Sequence, residues 1–487
     1  MLIINYYNNA KEQSRNRKCP SSGEVESPQK GEQISCEKIG NRQHQKVSVA
    51  ERSKKKRRSE NRTERRTVTI TLESVKGHQY SELVIRLSTL LYAQTGCGLR
   101  SVVSILKVIN DVFNGILGQL PCYNTIENWV KKIGLDVYNT SGQSLKGMDY
   151  AEIIDESMMI GSEKLLVTLA VPSAHQGRPL CHDDVSVLDI SVSTSWAGKG
   201  VKKQLKKAAK KAGCPPQYVI SDNASIMNKG IRLSGIQHHR DISHSLGMYL
   251  ERTYKKAIDF QVYIKAMTGV KFKYNMTKTA YLLPPTQRTV ARFINLADWV
   301  KWSRKMLDAY PRFSPEEKQI FSFIPTNAPL IDELSTVVHC VESIESVCKH
   351  QGFSKETSLQ CQQLIEEELI AGNSRMIQLG NNILDFLQTE EAVLESEDAV
   401  HNNSSDIIES VFGMYKARKS PNKLYGVTPF ILFIPAQAQL LKSGKAKPTL
   451  IKERLERVKL KDIDKWKKKN LSPNLVSKRT KLLKKIG

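Results

Sequence analysis

Three acidic side chains sit where oxygen-ligand chemistry would need them. The apolar run Ala151–Ile154 stops at Asp155. The run Gln217–Ser221, with Tyr-Val-Ile at its centre, stops at Asp222, and Glu409 lies on a helix expected from about Asp406 to Ser420. Two carboxylates at strand ends and a third on a helix can hold two divalent cations about 3.5–4 Å apart, one activating the attacking oxygen of a phosphodiester reaction and the other stabilising the leaving oxygen. Mg2+ or Mn2+ would suit such a site, because hard cations take oxygen ligands and waters or substrate phosphates complete the shell. Each acid also has a plainer reading. Aspartate commonly closes a strand in a turn, the more so where Asn223 follows Asp222, and Asp406-x-x-Glu409 fits a helix capping box. Their joint placement on one order of elements favours the metal reading. His238, His239, Asp241 and His244 form a second polar cluster. Without cysteine partners at suitable spacing it is a poor zinc site, and it is expected to line the site edge or bond a DNA backbone. Asp241 and His244 are the reserve candidates, with Asp184 and Asp189 behind them.

The elements that must position these acids follow from periodicity. From about 150 the apolar period changes from 3.6 to 2. Strands are expected at 151–154, 164–171 and 185–193, then a helix over Gly198–Ala212 carrying seven lysines and no acid, a strand at 217–221, a short helix, and a strand near 236–241. Residues 243–395 read as almost entirely helical, with Val290, Phe293, Ile294, Ala297, Val300 and Met306 at core spacing and Trp299 and Trp302 beside them. Upstream, residues 67–140 read as helices. The last of these, about 123–133, buries Ile126, Trp129, Val130 and Ile133 and presents Asn124, Thr125, Glu127, Asn128, Lys131 and Lys132. That face suits the reading helix of a helix-turn-helix, since amides and lysines can bond base edges and phosphates. An ordinary helical bundle with a solvated face fits it equally well.

Charge points to a polyanionic partner. The 487 residues carry a formal +25, and both ends contribute most of it: residues 1–66 hold 17 Lys/Arg against 8 Asp/Glu, and residues 436–487 hold 17 against 4. Dense basic arms around a nearly neutral body suit nucleic acid. The nine cysteines are odd in number and form no CxxC pair, which argues for reduced thiols and against a disulfide frame. No apolar run approaches the ~20 residues of a spanning helix, and the start, MLIINYYNN, is too short and polar for a signal peptide. The expected organisation is a disordered basic arm at 1–66, a helix-turn-helix region at 67–140, a core at 150–242 completed by a final helix at 396–435, a helical insertion at 243–395, and a basic tail at 436–487.

The pieces Ile-Ile-Asp155-Glu-Ser, Tyr-Val-Ile-Ser-Asp222-Asn-Ala and Asp-Ile-Ile-Glu409-Ser-Val-Phe-Gly-Met-Tyr-Lys416, in this order on these elements, make the chain resemble the DDE transposases and, more distantly, the retroviral integrases. The resemblance covers about 150–435. It implies an α/β RNase H-like core: a mixed five-stranded sheet with flanking helices, with an all-α helix-turn-helix region before it and an all-α insertion within it. It also implies a metal site of Asp155, Asp222 and Glu409 with two Mg2+ or Mn2+ ions, cleavage at transposon ends, and strand transfer into target DNA. DNA contacts are expected at Lys131, Lys132, Lys416, Arg418 and Lys419. Such insertions often help bind the ends or stack an extruded base, a role open to Trp299 or Trp302, although core tryptophans are the commoner case. The implied partners are double-stranded DNA and a second copy of the chain, in a dimer or higher assembly. The compartment would be the nucleoid of a bacterium or the nucleus of a eukaryote. One insertion-sequence signature places Tyr and Arg ahead of the Glu and Lys; Asn402 and Ser405 stand there instead, so that subfamily is not assigned. A non-catalytic DNA-binding regulator and an RNase H-like nuclease without strand transfer are the alternatives.

Overall fold

A computed structural model describes residues 3–5, 67–69, 73–157, 159–286, 293, 296–421, 424, 426–442, 448–473 and 475–486. Residues 1–73 and 74–487 form two units. In the first, β1 (Ile3–Asn5) pairs antiparallel with β2 (Thr67–Thr69); the rest of the expected disordered arm lies outside the described residues.

The second unit is built on the expected alternation. Strands β3 (Tyr150–Glu156), β4 (Lys164–Pro172) and β5 (Ser186–Ser193) form an antiparallel meander. Beyond them come β6 (Tyr218–Ser221), parallel to β3, and β7 (Gln237–Arg240), parallel to β6, giving the order β5-β4-β3-β6-β7. The centre of this mixed sheet is buried on both faces, which is why Tyr218–Ser221 reads as a continuous rather than an alternating run.

One face carries Ile153, Leu165, Val167 and Ile220 into a large core shared with α1 (Glu82–Gln94), α2 (Leu99–Val112) and α3 (Tyr123–Thr140). The opposite face carries Ile154, Leu166 and Val219 against α4 (Gly198–Ala212) and α5 (Ser225–Ser234). Next, α6 (Ile242–Tyr254) leads into the insertion. There α7 (Ile258–Tyr274), α8 (Leu296–Ala309), α9 (Ala328–Gln351), α10 (Lys355–Ile365) and α11 (Ser374–Glu391) enclose a second apolar core. Trp299 is buried in that core and Trp302 donates its indole N–H to the Leu282 carbonyl at 3.0 Å, so both serve packing. The chain then returns to the first core through α12 (Asp406–Arg418) and α13 (Phe433–Leu440).

Two stretches differ from expectation. Helix α3 continues past 133 to Thr140, and Leu135, Val137 and Tyr138 extend its buried face. Gly134 allows this: a Cβ there would sit 1.9 Å from the Leu432 carbonyl oxygen, so only glycine lets the turn before α13 approach so closely. The expected basic tail is docked over much of its length. Ile451 and Leu455 of α14 (Pro448–Arg457), then Val458, and Ile463 and Trp466 of α15 (Leu460–Asn470), are buried in the first core. Only α16 (Leu475–Ile486) buries no residue. Lysine-rich composition masks these helices because their apolar positions, though few, all fall on one face.

The described cysteines are free thiols, in line with their spacing. Among the described residues no helix is long and apolar enough to cross a membrane.

Candidate active site

The sheet brings two of the acids together. Strands β3 and β6 run parallel with Ile153 opposite Ile220, and carrying that register two residues on places Asp155 level with Asp222 at the same end and on the same face. Neighbouring strands lie roughly 5 Å apart, so the two carboxyls share one edge. Each spends one oxygen locally: Oδ1 of Asp155 accepts the Glu156 N–H at 2.6 Å, and Oδ1 of Asp222 accepts the Ala224 N–H at 3.1 Å. The turn reading of Asp222 is therefore met, without using up the group. The second oxygen of each has no hydrogen bond among the described residues.

Glu409 comes to this edge on α12, whose Ile408, Val411 and Phe412 pack into the same core as Ile153 and Ile220. The capping-box alternative does not hold here. Ser405 precedes the helix, but its N–H and hydroxyl both donate to Oδ2 of Asp241, at 2.5 and 2.8 Å, while Glu409 turns outward and accepts from His244 Nε2 at 3.1 Å. Asp241 is thus no metal acid. It is buried, its Oδ1 caps α6 by accepting the His244 N–H at 2.7 Å, and its Oδ2 holds the start of α12. One carboxyl ties the helix bearing His244 to the helix bearing Glu409. Of the other expected cluster members, His238 faces Ser221 at 2.9 Å, with burial pushing it down to about 4. His239 is buried between Glu390 and His401. Asp189 is bonded to Tyr138 and Lys207, and Asp184 is clamped by Arg178.

The electrostatics are those of crowded carboxylates. Burial first, and the neighbouring Asp222 second, push Asp155 up to about 7. The hydrogen bond to Glu409 raises His244 to about 9, and the same bond holds Glu409 below the usual carboxylate range. Among the described residues no three His, Cys, Asp or Glu side chains lie close enough together to hold a metal ion as placed. The donor chemistry nevertheless fits a hard divalent cation: oxygens only, on an open edge, with unshared carboxylate oxygens and a charge excess that a cation would neutralise.

The expected DNA-binding residues divide. Lys416 stays beside the acids: burial lowers its pKa while Asp155 and Glu409 oppose that shift. Lys419 lies one residue past the end of α12, its Nζ 3.4 Å from the Ser420 carbonyl. Arg418 is committed elsewhere, donating to the Thr95 and Tyr92 carbonyls at 2.7 and 3.3 Å and stacking over Tyr92 and Phe433, so it fastens α12 to the C-terminal end of α1. Lys131 pairs with Glu127 at 3.0 Å. Lys132 is not on the exposed face; it is buried with Nζ 2.9 Å from His78 Nε2. Both corrections share a cause, since a long side chain at the margin of an amphipathic helix turns inward when a distant segment offers a polar partner.

Sequence reading passed over one acid. Glu152 points to the α4 face of β3, fully buried, with only the Tyr150 hydroxyl at 3.4 Å. Burial, reinforced by Asp189, pushes it up to about 8. An acid raised in the folded state costs stability as pH rises from its unfolded value near 4.5 to its folded one, by at most about 1.4 kcal/mol per pH unit. Glu152→Gln removes that titration, so its thermal midpoint is expected to gain on wild type progressively between pH 5 and 8 and level off above. A constant offset across that range would show that Glu152 does not titrate there.

No protein-family model matches the chain, and no curated protein matches it.

Proposed function

We propose that this chain is a DNA transposase with an RNase H-like core, cutting at transposon ends and joining the freed ends to target DNA. The observation that supports this most is that Asp155 and Asp222 close adjacent parallel strands at one end of a mixed five-stranded sheet, with Glu409, on a helix that returns after a long insertion, near enough to act on Asp155 electrostatically. Asp155, Asp222 and Glu409 would hold two Mg2+ or Mn2+ ions, which when bound supply charge stabilisation to the attacking and leaving oxygens of phosphoryl transfer. The chain's own residues do the rest. Asp241 fixes the relative position of the two helices at the edge. His244 keeps Glu409 ionised. Lys416, two helical turns beyond Glu409, sets a cation beside the acids where a scissile-strand phosphate would lie, and Lys419 extends that line. The open edge admits a duplex, and cutting two ends together calls for a dimer or higher assembly on DNA.

The test is a cleavage-and-joining assay with the full chain, Mg2+ or Mn2+, and duplex DNA carrying the flanking terminal repeats. Metal-dependent cutting followed by joining supports the proposal. Binding without cutting under all metals makes the protein a regulator, and cutting without joining makes it a nuclease.

A further inference from the structure

Helix α4 packs Val201, Gln204, Leu205, Ala208 and Ala212 against the sheet. Six of its seven lysines have two different fates, while Lys202 is half-buried. Lys207 is bound to Asp189 at 2.7 Å, and Lys211 donates to the Leu188 carbonyl at 2.6 Å with its ammonium over the Tyr138 ring. By contrast Lys199, Lys203, Lys206 and Lys210 are all exposed, and among the described residues none has an ion pair or hydrogen bond. Their spacing of four, three and four residues confines them to an arc of about 60° over roughly 16 Å of helix. The helix contains no acid to offset them. A merely solvated helix face commonly interleaves opposite charges at three- and four-residue spacing, which gains a few tenths of a kcal/mol per pair; here four like charges are aligned and left unpaired.

The direction of the helix matters. Strand β5 runs parallel to β3 through their common antiparallel neighbour, since Lys164 pairs with Ser193 and Asp155 with Val167. It therefore ends at the carboxylate end of the sheet, and α4 starts there, at Gly198, and runs back over the opposite face. The lysine line begins at the end of the sheet that carries the carboxylates, on the opposite face, and leads away from that end.

We propose that Lys199, Lys203, Lys206 and Lys210 form a track for the phosphate backbone of duplex DNA extending beyond the segment held at the carboxylates. Sixteen ångströms matches the axial rise of about five phosphates on one strand. The track is sequence-independent, as contacts to phosphate alone must be. It rests on the DNA reading above.

The test measures equilibrium binding of the full chain to two duplexes, one ending at the cleavage position and one extending about ten base pairs past it, over a salt series. Replacing the four lysines by glutamine is expected to make the slope of log K against log salt shallower by about 3 to 4 on the extended duplex. The slope on the short duplex should stay the same, and the fourfold arginine variant should keep the wild-type slope on both. An unchanged slope on the extended duplex, in a glutamine variant with the wild-type thermal midpoint, overturns the track while leaving the active-site reading standing. Wild-type protein that binds neither duplex overturns both.

Discussion

If the proposed function holds, Asp155→Asn, Asp222→Asn and Glu409→Gln are each expected to lose metal-dependent cutting and joining by about a thousandfold or more, while the affinity for terminal-repeat DNA stays near that of wild type. The size follows from the number of donors. Three carboxylates are few for two hard cations, so an amide at any one position removes a charged ligand that no neighbour can replace. Binding survives because phosphate contacts made by lysines elsewhere carry it. The three variants differ in one respect. Glu409→Gln also releases His244 from the main partner that holds it at about 9, so this variant should lower the histidine pKa by NMR titration more than Asp222→Asn, which removes only a weaker charge effect. If Glu409→Gln keeps its cutting rate, Glu409 serves the His244 pairing and no metal, and the three-carboxylate proposal fails.

Asp136→Ala lowers stability by about 3–5 kcal/mol, the largest single-site loss expected away from the apolar cores. Asp136 is buried on α3, where its carboxylate accepts Arg454 Nη1 at 2.6 Å and Arg457 Nε and Nη2 at 2.9 and 3.0 Å. Arg457 is half-exposed and can turn to water, but Arg454 is nearly as buried as Asp136. Removing the acid leaves an unpaired guanidinium inside the fold, and that dominates the cost. Denaturant midpoints of the single variant and of Asp136→Leu with Arg454→Met separate the causes. The double variant should recover most of the loss, because packed apolar side chains can replace a buried pair. A single-variant loss below about 1 kcal/mol would mean that Arg454 finds water on its own.

The parts legible in the sequence were those set by local period. Alternation marked β3 to β5, a continuous apolar run marked β6, and 3.6-residue spacing marked α4 and the insertion. The acids could be picked out because they close or interrupt those patterns. What escaped depends on partners far along the chain. Lys132 and Arg418 have the composition of surface cations, and only His78 and the end of α1 draw them inward. Asp241 looked like a spare metal ligand, but it binds Ser405 across the whole insertion. Glu152 was hidden in a strand whose inward face nothing nearby identifies. The docking of 448–470 escaped for the same reason, since five apolar residues among many lysines suffice once a groove exists to receive them.

That docking has a consequence for synthesis. Asp155 and Asp222 emerge from the ribosome early, but Glu409 follows only after the insertion, and the core that seats α12 also needs Ile451, Leu455, Ile463 and Trp466. Contacts so distant in sequence form late and slowly. Until Trp466 is out of the exit tunnel, the nascent polypeptide holds an unfinished core and no assembled trio of acids. A stalled or prematurely terminated product therefore lacks the seat for the helix bearing Glu409, and on the proposed function it would be unable to cut DNA until translation of this region is done.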